Sequence, residues 1–345
     1  MIRQQGGTAT AIKLAMRSRE LYIHLGEELR LDNGFRETGY YVLAESQHQI
    51  EDFAKLVELR RNCGLQNEWI DSQEGARRFP MLNWGCLHGA TFTKNDGYVT
   101  PSVVVRNITL GVLRTGSVDL FEGCPVESVD ASDHNYRVRT PRGVFESPRL
   151  INAAGPRGFR DVNRLVGIEN LAITASRHQI IAFPHVDEMA DSPWPMALAL
   201  SSGFYIRPFE HGIMLGMTNP KEPFDESTPE QMELDWEYYE TLRPQWEKLI
   251  PALVDRKISQ IWTAAVDCSP DHLPILDEPR LGYYVVSAGS HGMMNGPGLA
   301  ECLADFIVEG RISRIPEEQV RQDRFHQPLK YDPICLSPTH ETKSN

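Results

Sequence analysis

Apolar residues fall at helical spacing in several stretches of this chain and alternate with polar ones between them. Leu14, Leu21, Leu25 and Leu29 share one stripe of residues 10–29, which predicts an amphipathic helix. Residues 39–44 then read as a strand, and 47–63 as a polar-faced helix ending near Gly64. Thr100 followed by Pro101 signals an N-cap and a proline at the first helical position, for a helix that runs to about 114 and stops at Gly116. A strand over 117–121 is expected next. Helix, glycine and strand in that order give the crossover rhythm of a parallel sheet.

Short strands over 125–130, 136–140 and 144–147 predict a small meander, and 149–155 reads as a buried strand reaching a glycine turn. From 172 to 217 the strands are longer and alternate, as in 202–208. A helix over about 229–250, opened by Thr228 and Pro229, carries Trp236, Tyr239 and Trp246, whose spacing suits a core. The last third predicts a strand over 282–287, a glycine-rich loop, and a helix over 297–309. On that helix Leu299, Cys302, Leu303, Phe306 and Ile307 share one face and Gly310 marks the end. Beyond about 328 there is no periodicity, and a loose tail is expected. Parallel-type segments at both ends bracket antiparallel ones, so the expected class is α/β interleaved with α+β. One domain takes 1–30, 96–165 and 275–328, a second takes 31–95 and 166–274, and 329–345 is the tail.

The 345 residues carry 35 Lys and Arg against 47 Asp and Glu, a net charge of −12 that argues against nucleic acid or an anionic membrane surface as partner. No stretch approaches the ~18–20 apolar residues of a membrane span. Residues 1–7 have no apolar core of a secretory signal. Cys63, Cys86, Cys124, Cys268, Cys302 and Cys335 are scattered without C-x-x-C spacing, so neither a structural metal site nor a disulfide framework is expected. The expectation is an intracellular protein, in the cytoplasm first and the mitochondrion as the alternative.

Ile151-Asn152-Ala153-Ala154-Gly155 puts a glycine at the carboxyl end of a buried strand. There a ligand can approach the backbone and the next helix offers N–H donors. A tight turn after a core strand explains it equally well. The loop over 287–298 is more specific. Gly289, Gly292, Gly296 and Gly298 surround His291 between a buried strand and an amphipathic helix, a backbone surface suited to a planar or polyoxygenated ligand.

Taken in order, these blocks resemble the FAD-dependent oxidoreductases of the D-amino-acid oxidase and sarcosine oxidase family. The resemblance rests on Arg3-Gln4-Gln5-Gly6-Gly7, Thr38-Gly39-Tyr40, Asp96-Gly97-Tyr98-Val99-Thr100-Pro101 and the turn at 152–155. It continues through Phe204-Tyr205-Ile206-Arg207-Pro208, Ser269-Pro270-Asp271-His272-Leu273-Pro274-Ile275 and Ser290-His291-Gly292, covering residues 1 to about 325. It implies an incomplete FAD-binding Rossmann-like domain interleaved with an antiparallel-sheet substrate domain. By the same resemblance Gly6, Gly7, Gly289, Ser290, His291, Gly292, Met293 and Met294 flank the flavin ring. Ala153, Ala154, Gly155 and the backbone near Val126 lie along the adenosine half, and Tyr205 and Arg207 face the substrate.

The sequence departs from the family pattern in four places. No G-x-G-x-x-G is present, so the expectation is a truncated chain that binds FAD weakly or not at all unaided. The histidine loop is shorter than the usual form, which bears on the role of His291. Ala264 stands six residues before Pro270, where several relatives carry the cysteine that bonds flavin, and Cys268 is displaced from that place, so flavin is expected to be non-covalent. Residues 262–267 lack the arginine with which the D-amino-acid and glycine oxidase branch holds a carboxylate, which points to the sarcosine/dimethylglycine-like branch.

The implied reaction is oxidation of a C–N bond in a small amine or an N-methyl or secondary amino acid: hydride passes to flavin and water hydrolyses the imine. Oxygen or a carrier protein takes the electrons. Tyr205, Arg207 and His291 are the candidate catalytic residues, and Arg207, then Arg177, the candidate carboxylate clamps. Arg207 reads equally as half of a surface salt bridge, and Tyr205 as a tyrosine at the core's edge. His178 and His272 read as structural hydrogen-bonders. Two further readings stand beside this one: a cofactor-free remnant or assembly protein, and a subunit of a hetero-oligomeric amine dehydrogenase.

Overall fold

The computed structural model describes residues 1–132, 135–169, 172–184, 186, 194–210, 212–219, 233–328 and 332–335. The chain opens with α1 (Ala9–Leu29), β1 (Phe35–Glu37), β2 (Tyr40–Ala44), α2 (His48–Asn62), β3 (Glu68–Ile70), α3 (Ser72–Arg78), β4 (Gly89–Thr93) and β5 (Gly97–Val99). It continues with α4 (Pro101–Arg114), the meander β6 (Ser128–Ala131), β7 (Tyr136–Thr140) and β8 (Gly143–Ser147), then β9 (Leu150–Asn152) and α5 (Gly155–Leu165). Next come β10 (Thr174–Phe183), β11 (Met196–Ala199), β12 (Phe204–Phe209), β13 (Gly212–Thr218), α6 (Trp236–Leu249) and β14 (Gln260–Cys268). Finally β15 (Ile275–Arg280) and β16 (Tyr283–Ser287) lead into α7 (Gly292–Glu309).

One large sheet has the order β14-β10-β13-β12-β11-β2-β4-β3, antiparallel except where β11 runs parallel to β2. Side chains alternate across it, so each strand serves two cores. Tyr41, Leu43, Phe183 and Phe204 face one side, which α6 closes with Tyr239 and Trp246. Tyr40, Val42, Leu198, Tyr205 and Met214 face the other. A smaller sheet has the order β15-β16-β9, with β16 parallel to β9. Helices α1 and α7 pack Leu14, Leu299, Cys302 and Phe306 onto one face of it, against Leu276 and Tyr284. Phe159 of α5 and Tyr136 of the meander pack on the other, against Tyr283 and Val285.

Four elements differ from the sequence expectation, the first being the tail, where residues 332–335 are packed with Asp332 and Ile334 buried. Residues 117–121 form no strand; Val118, Leu120 and Phe121 are exposed. Among the described residues no strand pairs with 117–121, although β9 at the edge of its sheet leaves one side open. The helix expected from 229 is regular only from Trp236, where Asp235 caps it by accepting from Tyr238 N at 2.9 Å; residues 229–232 lie outside the described ones. The last helix begins at Gly292, earlier than expected, with Pro297 inside it. Pro297 leaves the Met293 carbonyl without its helical donor, and the Tyr22 hydroxyl of α1 donates to it at 2.8 Å instead. One turn of the presumed loop is thereby helix.

Candidate active site

Residues 1–7 run beside the large sheet, with Ile2 bridging Gly97 and the Gln5 side chain donating to the Tyr40 carbonyl at 2.7 Å, and lead into α1, which packs on the smaller one. This segment is fixed by a buried polar network. Arg60 of α2 donates to the carbonyls of Gln5 and Gly6, and also to Asn67 and Thr91. Asp96 accepts from Gln4 N at 2.9 Å and from the Gln4 side chain at 2.8 Å, and Gln5 donates to it from the other side. Burial outweighs these bonds and pushes the Asp96 carboxyl up to about 6.

The network holds Arg3 at a cavity. Arg3 is 2% exposed, its Nη1 and Nη2 donate to the main-chain carbonyls of Gln5 and Ile334, and it makes no carboxylate ion pair among the described residues. Its Nε has no partner there. Met1, His178, Leu198, Tyr205, Thr218, Val266, Ser290, His291, Ile334 and Cys335 line the same cavity, whose empty volume is about 540 Å³.

Strand register explains how Tyr205 and His178 meet there. Tyr205 lies opposite Gly216, and a Cβ on Gly216 would stand 2.1 Å from the tyrosine Cζ, so the ring can fold across β13 only because that residue is glycine. Beyond β13, His178 of β10 pairs with Thr218. The His178 ring stacks on Tyr205 at 5.5 Å and 10°, with Nε2 3.1 Å from the phenol oxygen and Nδ1 2.7 Å from the Thr218 hydroxyl. Desolvation brings the His178 imidazole down to about 4 and pushes the Tyr205 phenol up to about 12, so both are neutral near pH 7.

The opposite wall is the turn at 288–291. Asp267 at the end of β14 accepts from Ala288 N at 3.1 Å and from the Ser287 hydroxyl, fixing the start of the turn. Ser290 sits at φ 83°, a conformation costly for a residue with a Cβ. Its hydroxyl contacts buried Cys268 at 3.4 Å, which also meets Ser176 at 3.2 Å. Gly289 packs on Leu273, within a loop that Arg324 pins through a two-pronged ion pair to Asp271.

The sequence-derived candidates distribute as follows. Tyr205, Ser290 and His291 line the cavity. Gly6 and Gly7 follow Arg3 on the same segment without lining the cavity, and Gly292, Met293 and Met294 form the first turn of α7. Ala153, Ala154 and Gly155 follow β9 into α5, one strand over from the 288–291 turn and at the same end of the parallel pair. Val126 is exposed in the segment before β6. Arg207 follows Tyr205 on the same face of β12 with its guanidinium 4.5 Å over the Tyr98 ring, and burial lowers its pKa. Arg177 points elsewhere: it donates to the Glu233 carbonyl at 2.5 Å and lies 3.8 Å from Asp235. Arg3 was missed by the sequence reading. The available signal was its place at the head of the Arg3-Gln4-Gln5-Gly6-Gly7 block.

The sarcosine dehydrogenase of Mus musculus mitochondria is 23% identical over 322 residues, spanning 88% of this chain and 34% of that protein. The pyruvate dehydrogenase phosphatase regulatory subunit of Mus musculus mitochondria is 26% identical over 314 residues, spanning 86% of this chain and 35% of that protein. The chain therefore spans about a third of the length of these relatives. The crystal structure of L-proline dehydrogenase from P. horikoshii superposes with a TM-score of 0.83 at 22% identity, covering 94% of this chain and 86% of that one, and so shares the fold. Among the described residues no helix is long and apolar enough to cross a membrane. The sequence profile of the DAO family, described as FAD dependent oxidoreductase, matches residues 1–306, and this chain belongs to that family.

Proposed function

We propose that the chain oxidises the C–N bond of a small secondary or N-methyl amino acid, with FAD as hydride acceptor. The observation that carries this reading is the convergence of Arg3, His178, Tyr205 and His291 on one cavity beside the 288–291 turn.

The residues present fit the family's cofactor. Both ring nitrogens of buried His272 and Nε of Arg3 lack partners among the described residues, which is the state expected of polar groups reserved for a ligand. Helix α7 starts without a side chain capping its first N–H groups, leaving donors for an electron-rich ring. Gly6, Gly7, Gly289, Ser290, Gly292, Met293 and Met294 would hold the ring non-covalently, and Ala153, Ala154 and Gly155 the adenosine half. When bound, FAD supplies the two-electron acceptor.

The chain's own residues orient and condition the substrate. Arg3, already desolvated and without a carboxylate partner, clamps the substrate carboxylate. Arg207, outside the lining but acting on the amino group of Met1, adds a second cation. No carboxylate lines the cavity among the described residues, so this positive field disfavours an ammonium and holds the substrate amine neutral, with its lone pair available as hydride departs. Neutral His178, held by Thr218 at one ring nitrogen, fixes the Tyr205 hydroxyl with the other, and Leu198 and Val266 exclude water.

The test is reduction of the purified, FAD-loaded protein without oxygen. N-methylglycine, N,N-dimethylglycine or proline should bleach the flavin's visible band. A loaded protein that none of them reduces sinks the amino-acid reading. A non-catalytic regulatory role is the second reading, favoured by the likeness to the phosphatase regulatory subunit. It predicts no thermal stabilisation by FAD, whereas an FAD-binding enzyme gains stability by mass action.

A further inference from the structure

Residues 332–335 lie across the ground between Gly7 and the 288–291 turn. The Asp332 carboxylate accepts from Gly7 N at 2.9 Å and from Ile334 N at 2.9 Å, while Asp332 N donates to the Asp271 carbonyl at 3.1 Å. Arg3 donates to the Ile334 carbonyl at 2.6 Å. Ile334 is 1% exposed and packs in the cluster of Tyr40, Leu198 and Tyr205, and Cys335 reaches the cavity itself. The fit against Gly7 is tight: a Cβ there would meet Pro333 at 2.3 Å.

Two of these contacts satisfy groups the proposed ligands need. The Gly7 N–H takes a carboxylate from within the chain, and the Arg3 guanidinium takes a carbonyl. His272, with φ 60° and neither ring nitrogen partnered among the described residues, lies in the field of Asp332 on the same side. The segment thus satisfies part of the crevice and leaves other polar atoms unmet.

We propose that residues 332–335 are an internal strap that occupies the cofactor and carboxylate crevice and withdraws when a ligand takes Gly7 N–H and Arg3. This rests on the reading of the crevice given above. The strap and the ligand compete for the same donors, so apparent ligand affinity is reduced by the fraction of molecules that are strapped. A strap of this kind keeps the buried Arg3 solvated by the chain while the site is empty.

Alkylation of Cys335 by iodoacetamide, read peptide by peptide in the full chain, tests this. Addition of FAD, or of acetate as a carboxylate that cannot be oxidised, should accelerate modification of Cys335 by about fivefold or more. Cys63 and Cys86, outside the cavity, should not change. In Asp332→Ala, which removes two acceptor bonds of the strapped state, FAD should bind about tenfold more tightly. Unchanged or slower Cys335 modification when FAD is bound overturns the strap and makes the segment a fixed wall of the site, as does unchanged or weaker binding in the variant. If neither protein takes up FAD, the flavin reading fails and acetate alone decides. Acceleration that disappears in Arg3→Met supports the strap, and no acceleration overturns it.

Discussion

Arg60, wholly buried on α2, donates to the main-chain carbonyl of Gln5 at 3.2 Å and pairs with no carboxylate among the described residues. Its charge is held by oxygen dipoles alone: two carbonyls, Asn67 and Thr91. Desolvation, and then the nearby Arg3, lower its pKa to about 9. An arrangement this costly fixes the path of residues 3–7, and with it the position of Arg3. Arg60→Met removes the charge but leaves four buried oxygens short of a donor. The expected loss is about 3 kcal/mol of unfolding free energy in urea titrations. A change below about 1 kcal/mol would show that the segment is held by other means.

Gly216→Ala isolates the contact that aims Tyr205. In most strands this exchange is mild, but here the new methyl would overlap the tyrosine ring, which must swing away from His178. Overpacking of this kind costs about 2 kcal/mol. The expected outcome is a lower melting temperature together with a kcat/KM at least tenfold lower. Loss of stability with kcat/KM unchanged would remove Tyr205 from the site.

Much of this was legible in the chain, and the failures have physical causes. Helix α1 and the polar-faced α2 were readable because their periodicity is local. The strand at 117–121 was not, because a strand exists only where a neighbour accepts its hydrogen bonds, and no sequence pattern in 117–121 reports on that. The early start of α7 was hidden by Pro297, whose defect is repaired by Tyr22, a residue far away in sequence. Tyr205 stands out through its block and lines the cavity. Local sequence does not separate Arg3 from Arg177 as a candidate clamp, because which side of β10 a residue faces, and which arginine has Asp235 beside it, are decided by tertiary packing.

Arg3→Lys separates a carboxylate clamp from a structural cation. Lysine keeps the charge but loses the planar fork. For N-methylglycine kcat/KM should fall about a hundredfold, the size of a lost charge-assisted pair. For dimethylamine, which has no carboxylate, the same variant should stay within about threefold of the parent. Equal losses on both substrates would mean that Arg3 supports the fold and does not touch the substrate.

The sharpest test of the electrostatics is the pH dependence of stability, because two buried groups act in opposite directions. The Asp96 carboxyl is raised from 3.8 to about 6, chiefly by desolvation, so its contribution is full below 3.8 and is lost as pH rises through about 6. The His178 imidazole is lowered from 6.5 to about 4, again by desolvation, so its contribution is full above 6.5 and is lost as pH falls toward about 4. Each displacement is worth about 3 kcal/mol at most, and between pH 4 and 6.5 the two largely cancel. Unfolding free energies measured across that window should therefore diverge in the single variants. Asp96→Asn should gain stability with rising pH relative to the parent, and His178→Gln should lose it. Profiles that stay parallel to the parent's would mean that neither group is as desolvated as its surroundings require.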